Sequence, residues 1–146
     1  MVTRMTTTIL YSSDADIYTA FKNFMLNCPH FVITNDKADG GKFTIFGVEF
    51  TTLTYTGGTY GWTFKLGSST VFNIKRNVQY PLVLAWDNDA IILFDRQGLK
   101  QRFCITKDVN GNLWVIFSET SGTDDVYAYS ISEANRVYRP WGFTVN

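Results

Sequence analysis

Leu82-Val83-Leu84-Ala85-Trp86, then Asp87-Asn88-Asp89, then Ala90-Ile91-Ile92-Leu93-Phe94 is the stretch whose reading decides the fold. Two apolar runs of strand length flank a tight polar turn, and Pro81 precedes the first run, where a strand can accommodate a proline, so the segment reads as a β-hairpin. Both runs carry bulky residues at successive positions, whereas an antiparallel strand with one wet face alternates with polar residues. Leu113-Trp114-Val115-Ile116-Phe117 has the same character. Something must therefore cover a second face of these strands. A helix can cover one strand pair, and a second subunit or a neighbouring protein accounts for the rest.

Strand signals extend in both directions from this hairpin. Downstream, Asp95-Arg96-Gln97-Gly98 is a turn, and residues 101–107 and 113–119 flank Asp108-Val109-Asn110-Gly111-Asn112, the clearest hairpin loop, whose Asn-Gly suits a primed turn. Residues 126–131, 137–138 and 143–145 follow as closing strands. Upstream, residues 71–75 follow Gly67-Ser68-Ser69, and Trp62, Phe64 and Leu66 alternate onto one face. Residues 42–55 read as one long or bent strand with Gly47 at its bulge or bend, preceded by a turn-rich loop over 35–41 and a short strand over 31–34. Strands spaced by roughly ten residues and joined by short turns indicate an antiparallel β-sandwich or barrel.

The period changes near the N-terminus. After a short first strand over 6–11, Ser12 and Ser13 offer N-caps, and Asp14 and Asp16 place negative charge in a first turn. Ile17, Ala20, Phe21, Phe24, Met25 and Cys28 then recur at spacings of three and four, and Pro29 ends the pattern. This predicts one amphipathic helix over about 13–28, packed on a sheet, with a partner-binding face as the alternative use of its stripe. The class is mainly β, at the margin of α+β.

The chain has 146 residues, enough for a single domain over 1–146 that buries its core without metals or disulfides. Hydrophobic residues make up 45% and aromatic residues 16%, against 18% charged, a composition that favours burial in a partner. Thirteen basic and thirteen acidic residues cancel, and no run exceeds pairs such as Lys75-Arg76, so nucleic acid is not expected as the main ligand. Apolar runs reach only the length of Ala90 to Phe94, too short to cross a bilayer, and Met1 to Thr6 lacks an apolar signal core, which places the chain in its producing cell's cytoplasm. Cys28 and Cys104 lack metal or redox spacing and read as buried free thiols.

The search for chemistry yields no catalytic, cofactor or metal set. His30 is the single histidine and follows Pro29 at the helix end, so it reads as a helix-end polar residue. Three glutamates, Glu49, Glu119 and Glu133, accompany aspartates that fall largely in turns; a glycosidase would need a pair such as Glu49 and Glu119 to converge. Asp108 to Asn112 has alternating oxygen ligands suited to calcium, but its glycine is misplaced for an EF-hand and no glutamate closes it. Gly57-Gly58-Thr59-Tyr60-Gly61 lacks the lysine and helix of a phosphate loop and reads as a turn. The C-terminal set Arg136, Tyr138, Arg139 and Trp141 combines the residue types that anchor interfaces, and Trp86 and Trp114 on the two-faced strands join it as interface candidates. Tyr55, Tyr60, Trp62 and Trp141 could alternatively stack on sugar rings, with core packing the stronger reading for Trp62.

The texture of the chain, with a short N-terminal helix, strands rich in Thr, Asn, Gly and aromatics, few charges and no catalytic set, resembles small virion structural proteins of tailed bacteriophages along its whole length. The resemblance implies a non-enzymatic subunit of the tail, neck or capsid surface, made in the host cytoplasm and residing in the virion. It would bind other copies of itself and other virion proteins through sheet faces, edges and terminal segments. A carbohydrate-binding or receptor-binding β-sandwich module is the alternative, and an enzyme comes third.

Overall fold

The computed structural model describes residues 4–9, 14–54, 60–75, 82–95, 102–117, 127–131 and 137–138. In chain order these form β1 (Arg4–Ile9), α1 (Asp14–Met25), β2 (Phe31–Asn35), β3 (Lys42–Ile45), β4 (Val48–Thr54), β5 (Tyr60–Leu66) and β6 (Ser69–Lys75). They continue with β7 (Leu82–Asp87), β8 (Ala90–Asp95), β9 (Arg102–Lys107), β10 (Leu113–Phe117), β11 (Tyr127–Ser130) and β12 (Val137–Tyr138). Every strand pairing is antiparallel. The strands make a seven-stranded sheet in the order β1-β7-β8-β9-β10-β11-β12 and a five-stranded sheet in the order β2-β3-β4-β5-β6, so the architecture is a two-sheet sandwich and not a closed barrel.

Alternation along the strands explains the core. Leu82, Leu84 and Trp86, Ile91 and Leu93, Phe103 and Ile105, and Val115 and Phe117 line the inward face of the seven-stranded sheet. They meet Phe43, Ile45, Phe50, Trp62, Phe64 and Phe72 of the other sheet in one apolar cluster. Phe103 joins the layers directly, its ring 5.6 Å from Phe50 and 5.0 Å from Phe64 in edge-to-face arrangements. Such aromatic pairs are worth about 0.5–1.5 kcal/mol each beyond the area they bury.

The helix stops at Met25, short of Pro29, through a turn in which the Cys28 amide donates to the Met25 carbonyl oxygen at 2.9 Å. Ser12 and Ser13 lie outside the described residues. The stripe expected from spacing is the buried one: Ile17, Phe21 and Met25 are fully withdrawn from solvent. Phe21 packs against Phe31, Phe43, Trp62 and Phe64, all on the five-stranded sheet. The helix therefore turns this stripe into the core shared by the two sheets and leaves Thr19 and Asn23 exposed. It does not cover the second apolar face of β7, β8 and β10, which is one of the two covers the sequence suggested.

Two turns differ from the sequence reading. The stretch read as one strand from residue 42 is two strands over residues 42–54, β3 and β4, reversed over Phe46-Gly47, with Ile45 paired to Val48. Both turn residues have positive φ, 51° and 79°, the signature of a type I′ turn. Phenylalanine hides such a turn from sequence, because asparagine or aspartate is the usual residue at its first position. In the β9–β10 loop only Gly111 takes a positive φ, 81°, and its amide donates to the Asp108 carbonyl oxygen at 3.0 Å. That loop is a type I turn followed by a left-handed glycine, not the primed turn its Asn-Gly suggests. Gly41 answers to a different constraint, since a Cβ there would strike the carbonyl oxygens of Lys37 and Asn35.

Among the described residues no helix is long and apolar enough to cross a membrane.

Candidate binding face

The register of the seven-stranded sheet assembles its outward face residue by residue. Thr6 pairs with Ala85, Ala85 with Ile92, Ile92 with Cys104, Cys104 with Ile116, and Ile116 with Ala128. Because side chains alternate along a strand, these positions share the face opposite the core and form one lateral row. Cys104 and Ile116 make an apolar cluster separate from the main core, with Ile92 and Trp114 packed against it. No α1 residue belongs to this cluster. Cys104 is 6% exposed and Ile116 3%, so the apolar surface this face still offers comes from half-buried Ile92, Trp114 and Ala85 beside them.

The neighbouring row is mixed in character. Arg4 stands in register with Asp87, and Ala90 pairs with Thr106, which pairs with Trp114. Where the small side chains of Ala85 and Ala90 lie between larger ones, the face sinks into a shallow pocket of about 220 Å³ bounded by Arg4, Thr6, Asp87 and Ile92. It is smaller than the roughly 300–1,000 Å³ typical of drug-sized ligand sites. Its chemistry is a cation and an anion at one rim over an apolar floor. The Asp87 carboxylate also accepts from the Asp89 and Ala90 amides at 2.7 and 2.8 Å, which closes the β7–β8 turn and fixes that rim.

Trp114 is held by its hairpin. Its indole Nε1 donates to Asp108 Oδ2 at 2.9 Å, while Asp108 Oδ1 accepts from the amides of Asn110 and Asn112. These donors, led by the indole, hold the Asp108 carboxyl below the ordinary aspartate range. The carboxylate suspected of binding calcium is thus engaged by loop donors, and its structural effect is to orient the Trp114 ring.

Other polar clusters bind elements to one another. Tyr18 donates to Asp36 Oδ1 at 2.9 Å, and the Lys22 ammonium lies 3.3 Å from the same oxygen, which joins α1 to the loop after β2. Burial, followed by the Asp36 hydrogen bond and charge, pushes the Tyr18 hydroxyl up to about 12. A phenol so shifted stays protonated and acts as a donor rather than as a base. His30 stacks on Phe46 with ring centroids 4.3 Å apart, and Lys107 lies 5.1 Å over the same Phe46 ring. Glu49 pairs with Lys42 at 3.5 Å on the outward face of the five-stranded sheet.

The sequence candidates divide accordingly. Trp114 lies on the outward face, beside the apolar row. Trp86 is 2% exposed on the inward face and has no free surface for a partner, since strand alternation turns it toward the core. Trp62, weighed for sugar stacking, is fully buried. Tyr138 and Tyr60 are placed by their strands, with side chains outside the description; Arg136, Arg139, Trp141, Tyr55 and Glu119 lie outside the described residues. Cys28 and Cys104 are free and buried, and desolvation pushes the Cys104 thiol up to about 12. Arg4, Thr6 and Ala85 were missed as site residues. Ala85 stood in a two-faced run, but no local pattern predicts its place beside β1, because that pairing joins strands almost eighty residues apart.

The chain matches no protein-family model, no curated protein and no solved structure.

Proposed function

We propose that this chain is a non-enzymatic structural or assembly subunit that binds neighbouring protein subunits through the outward face of its seven-stranded sheet. The specific form of this reading is a virion component of the tail, neck or capsid surface, as the texture of the sequence suggests. The observation that carries it is the half-buried apolar set Ala85, Ile92 and Trp114 on that face, packed around the buried Cys104 and Ile116 across four adjacent strands. A set of this kind on the face away from the core suits burial against another protein. Its non-enzymatic character is supported by the polar groups themselves: Asp36, Asp108 and Tyr18 are committed to holding α1 and the β9–β10 loop in place. The test is solution mass by light scattering over a concentration series, for the wild type and for Ile92→Lys. A defined oligomer or growing assemblies in the wild type, weakened about tenfold by the lysine, is the expected result. A monomer at every concentration removes self-assembly from the reading.

A carbohydrate-binding module is the second reading. The pocket lined by Arg4, Thr6, Asp87 and Ile92 favours it, since it sets hydrogen-bonding groups around an apolar floor. Chemical-shift changes confined to those residues on titration with simple sugars would move this reading to first place.

A further inference from the structure

The four edges of the two sheets are guarded unequally. An open strand edge is a template for another chain, and proteins blunt such edges with bulges, short strands, charges or proline. Edge strand β2 carries an extra residue at Thr34, where the register with β3 shifts between Ile33 and Asn35. Edge strand β6 is interrupted by register shifts in its pairing with β5. Edge strand β12 is two residues long. The fourth edge, β1, pairs with β7 from Arg4 to Ile9 without a shift. It contains no proline, and its one charge, Arg4, stands in register with Asp87 of the same sheet. Among the described residues no strand pairs with its other side.

We propose that β1 pairs antiparallel with β1 of a second copy of this chain, joining two seven-stranded sheets into one continuous sheet across a two-fold axis. The inference rests on the assembly reading above and names its partner. The sequence Arg4-Met5-Thr6-Thr7-Thr8-Ile9 complements itself in either central register. An axis through Thr6 sets Thr6 opposite its own copy and Arg4 opposite Thr8. An axis through Thr7 sets Thr6 opposite Thr8 and Met5 opposite Ile9. Cross-strand threonine pairs are favourable, and β-branched threonine suits a pleated surface. With the axis through Thr6 the two Arg4 residues lie about 14 Å apart along the strands, beyond the reach of strong repulsion at physiological salt. Closed two-fold pairing also consumes both open edges, so assembly through β1 stops at two copies. The axis stands perpendicular to the joined sheet, so both copies present half-buried Ala85, Ile92 and Trp114 on the same side, and one broad face is built from two narrower ones.

The test uses Thr6→Lys/Thr8→Lys and Thr6→Glu/Thr8→Glu, since Thr6 and Thr8 are exposed on the outward side of β1 and can carry charge without entering the core. Mass is measured by light scattering or sedimentation for the wild type, each double variant and their equimolar mixture. The expected result is a wild-type dimer, a dissociation constant raised at least about tenfold in the lysine variant, whose new charges face each other or Arg4 in either register, the same loss in the glutamate variant when the axis runs through Thr7, and recovery of the dimer in the mixture. Hydrogen exchange on the wild type is the companion measurement, independent of how the variants fold. The amides of residues 4–9 should gain protection as concentration rises. An association that survives both double variants, with no concentration-dependent protection in β1, overturns the pairing and leaves the assembly reading standing on the sheet face. A wild type that stays monomeric at every concentration overturns the pairing and removes self-assembly from the assembly reading.

Discussion

The ring of Phe46 lies 4.3 Å from the imidazole of His30, centroid to centroid, and the Phe46 amide donates to the His30 carbonyl oxygen at 3.0 Å. The contact fastens the β3–β4 turn to the segment leaving α1, and it does so on a backbone with φ 51°. A non-glycine residue in that conformation costs roughly 1–2 kcal/mol, which the packing of the ring offsets.

Truncating that ring separates the two effects. Phe46→Ala keeps the left-handed backbone and loses the packing, so it should cost about 1–3 kcal/mol in denaturant melts. Phe46→Asn tolerates the conformation and should cost less than the alanine variant. An alanine variant as stable as wild type would show that the His30 contact contributes nothing.

Burial of the Tyr18 hydroxyl, together with its hydrogen bond to Asp36, makes stability depend on pH in two windows. The folded-state shift of the Tyr18 hydroxyl from 10.0 to about 12 means that its contribution is complete below 10 and is lost as pH rises toward 12. Asp36 moves the other way: the Tyr18 hydrogen bond, then Lys22, lowers its carboxyl, so its contribution is present above the ordinary aspartate value and fades as pH falls through the lowered one. In Tyr18→Phe the alkaline loss above pH 10 should flatten, and carboxyl titration followed by NMR should place Asp36 closer to its ordinary range. An Asp36 titration identical to wild type in that variant would break the link between the two groups.

The indole nitrogens of Trp62 and Trp86 are buried with no hydrogen-bond partner among the described residues. Trp62→Phe removes an unpaired donor while keeping most of the apolar bulk, so the two changes oppose each other and the net effect should stay within about 1 kcal/mol. Trp62→Ala loses the packing against Phe21 and Phe64 as well and should cost about 3–5 kcal/mol. Urea melts of both variants decide the matter; a phenylalanine variant as damaged as the alanine one would mean that the nitrogen has a partner that matters.

Both cysteines should resist thiol reagents in the folded state. They are buried, and desolvation raises both thiols, Cys104 to about 12, so little thiolate exists at neutral pH. A colorimetric disulfide reagent at pH 8 should label neither within minutes and both after unfolding in urea. Fast native labelling of Cys104 would show that the outward face opens readily.

Much of the fold was legible along the chain because its signals are local. The helical stripe Ile17, Phe21, Met25 and the strand alternation of Trp62, Phe64 and Leu66 depend only on backbone periodicity, and the buried positions follow it. The turns were read less well. Phe46-Gly47 folds as a primed turn because tertiary packing against His30 supports a conformation that phenylalanine alone would avoid, while Asn110-Gly111 declines one because Asp108 accepts from the amides of Asn110 and Asn112.

The candidate site was legible only in part. The bulky residues on both sides of β7, β8 and β10 announced a second apolar face, and Ile92 and Ile116 belong to it. Trp86 sits in the same kind of run yet faces the core, because which half of a two-faced strand turns inward depends on what the other sheet presents. By itself the sequence determined the class, the N-terminal helix with its buried stripe, the two-faced strands and the burial of both cysteines, because each follows from the spacing or type of residues near one another in the chain. Only the tertiary structure decided which face those strands turn outward, that the α1 stripe joins the core instead of covering that face, and that Arg4 and Thr6 border Ala85 and Asp87, because long-range pairing is set by packing and register between distant segments.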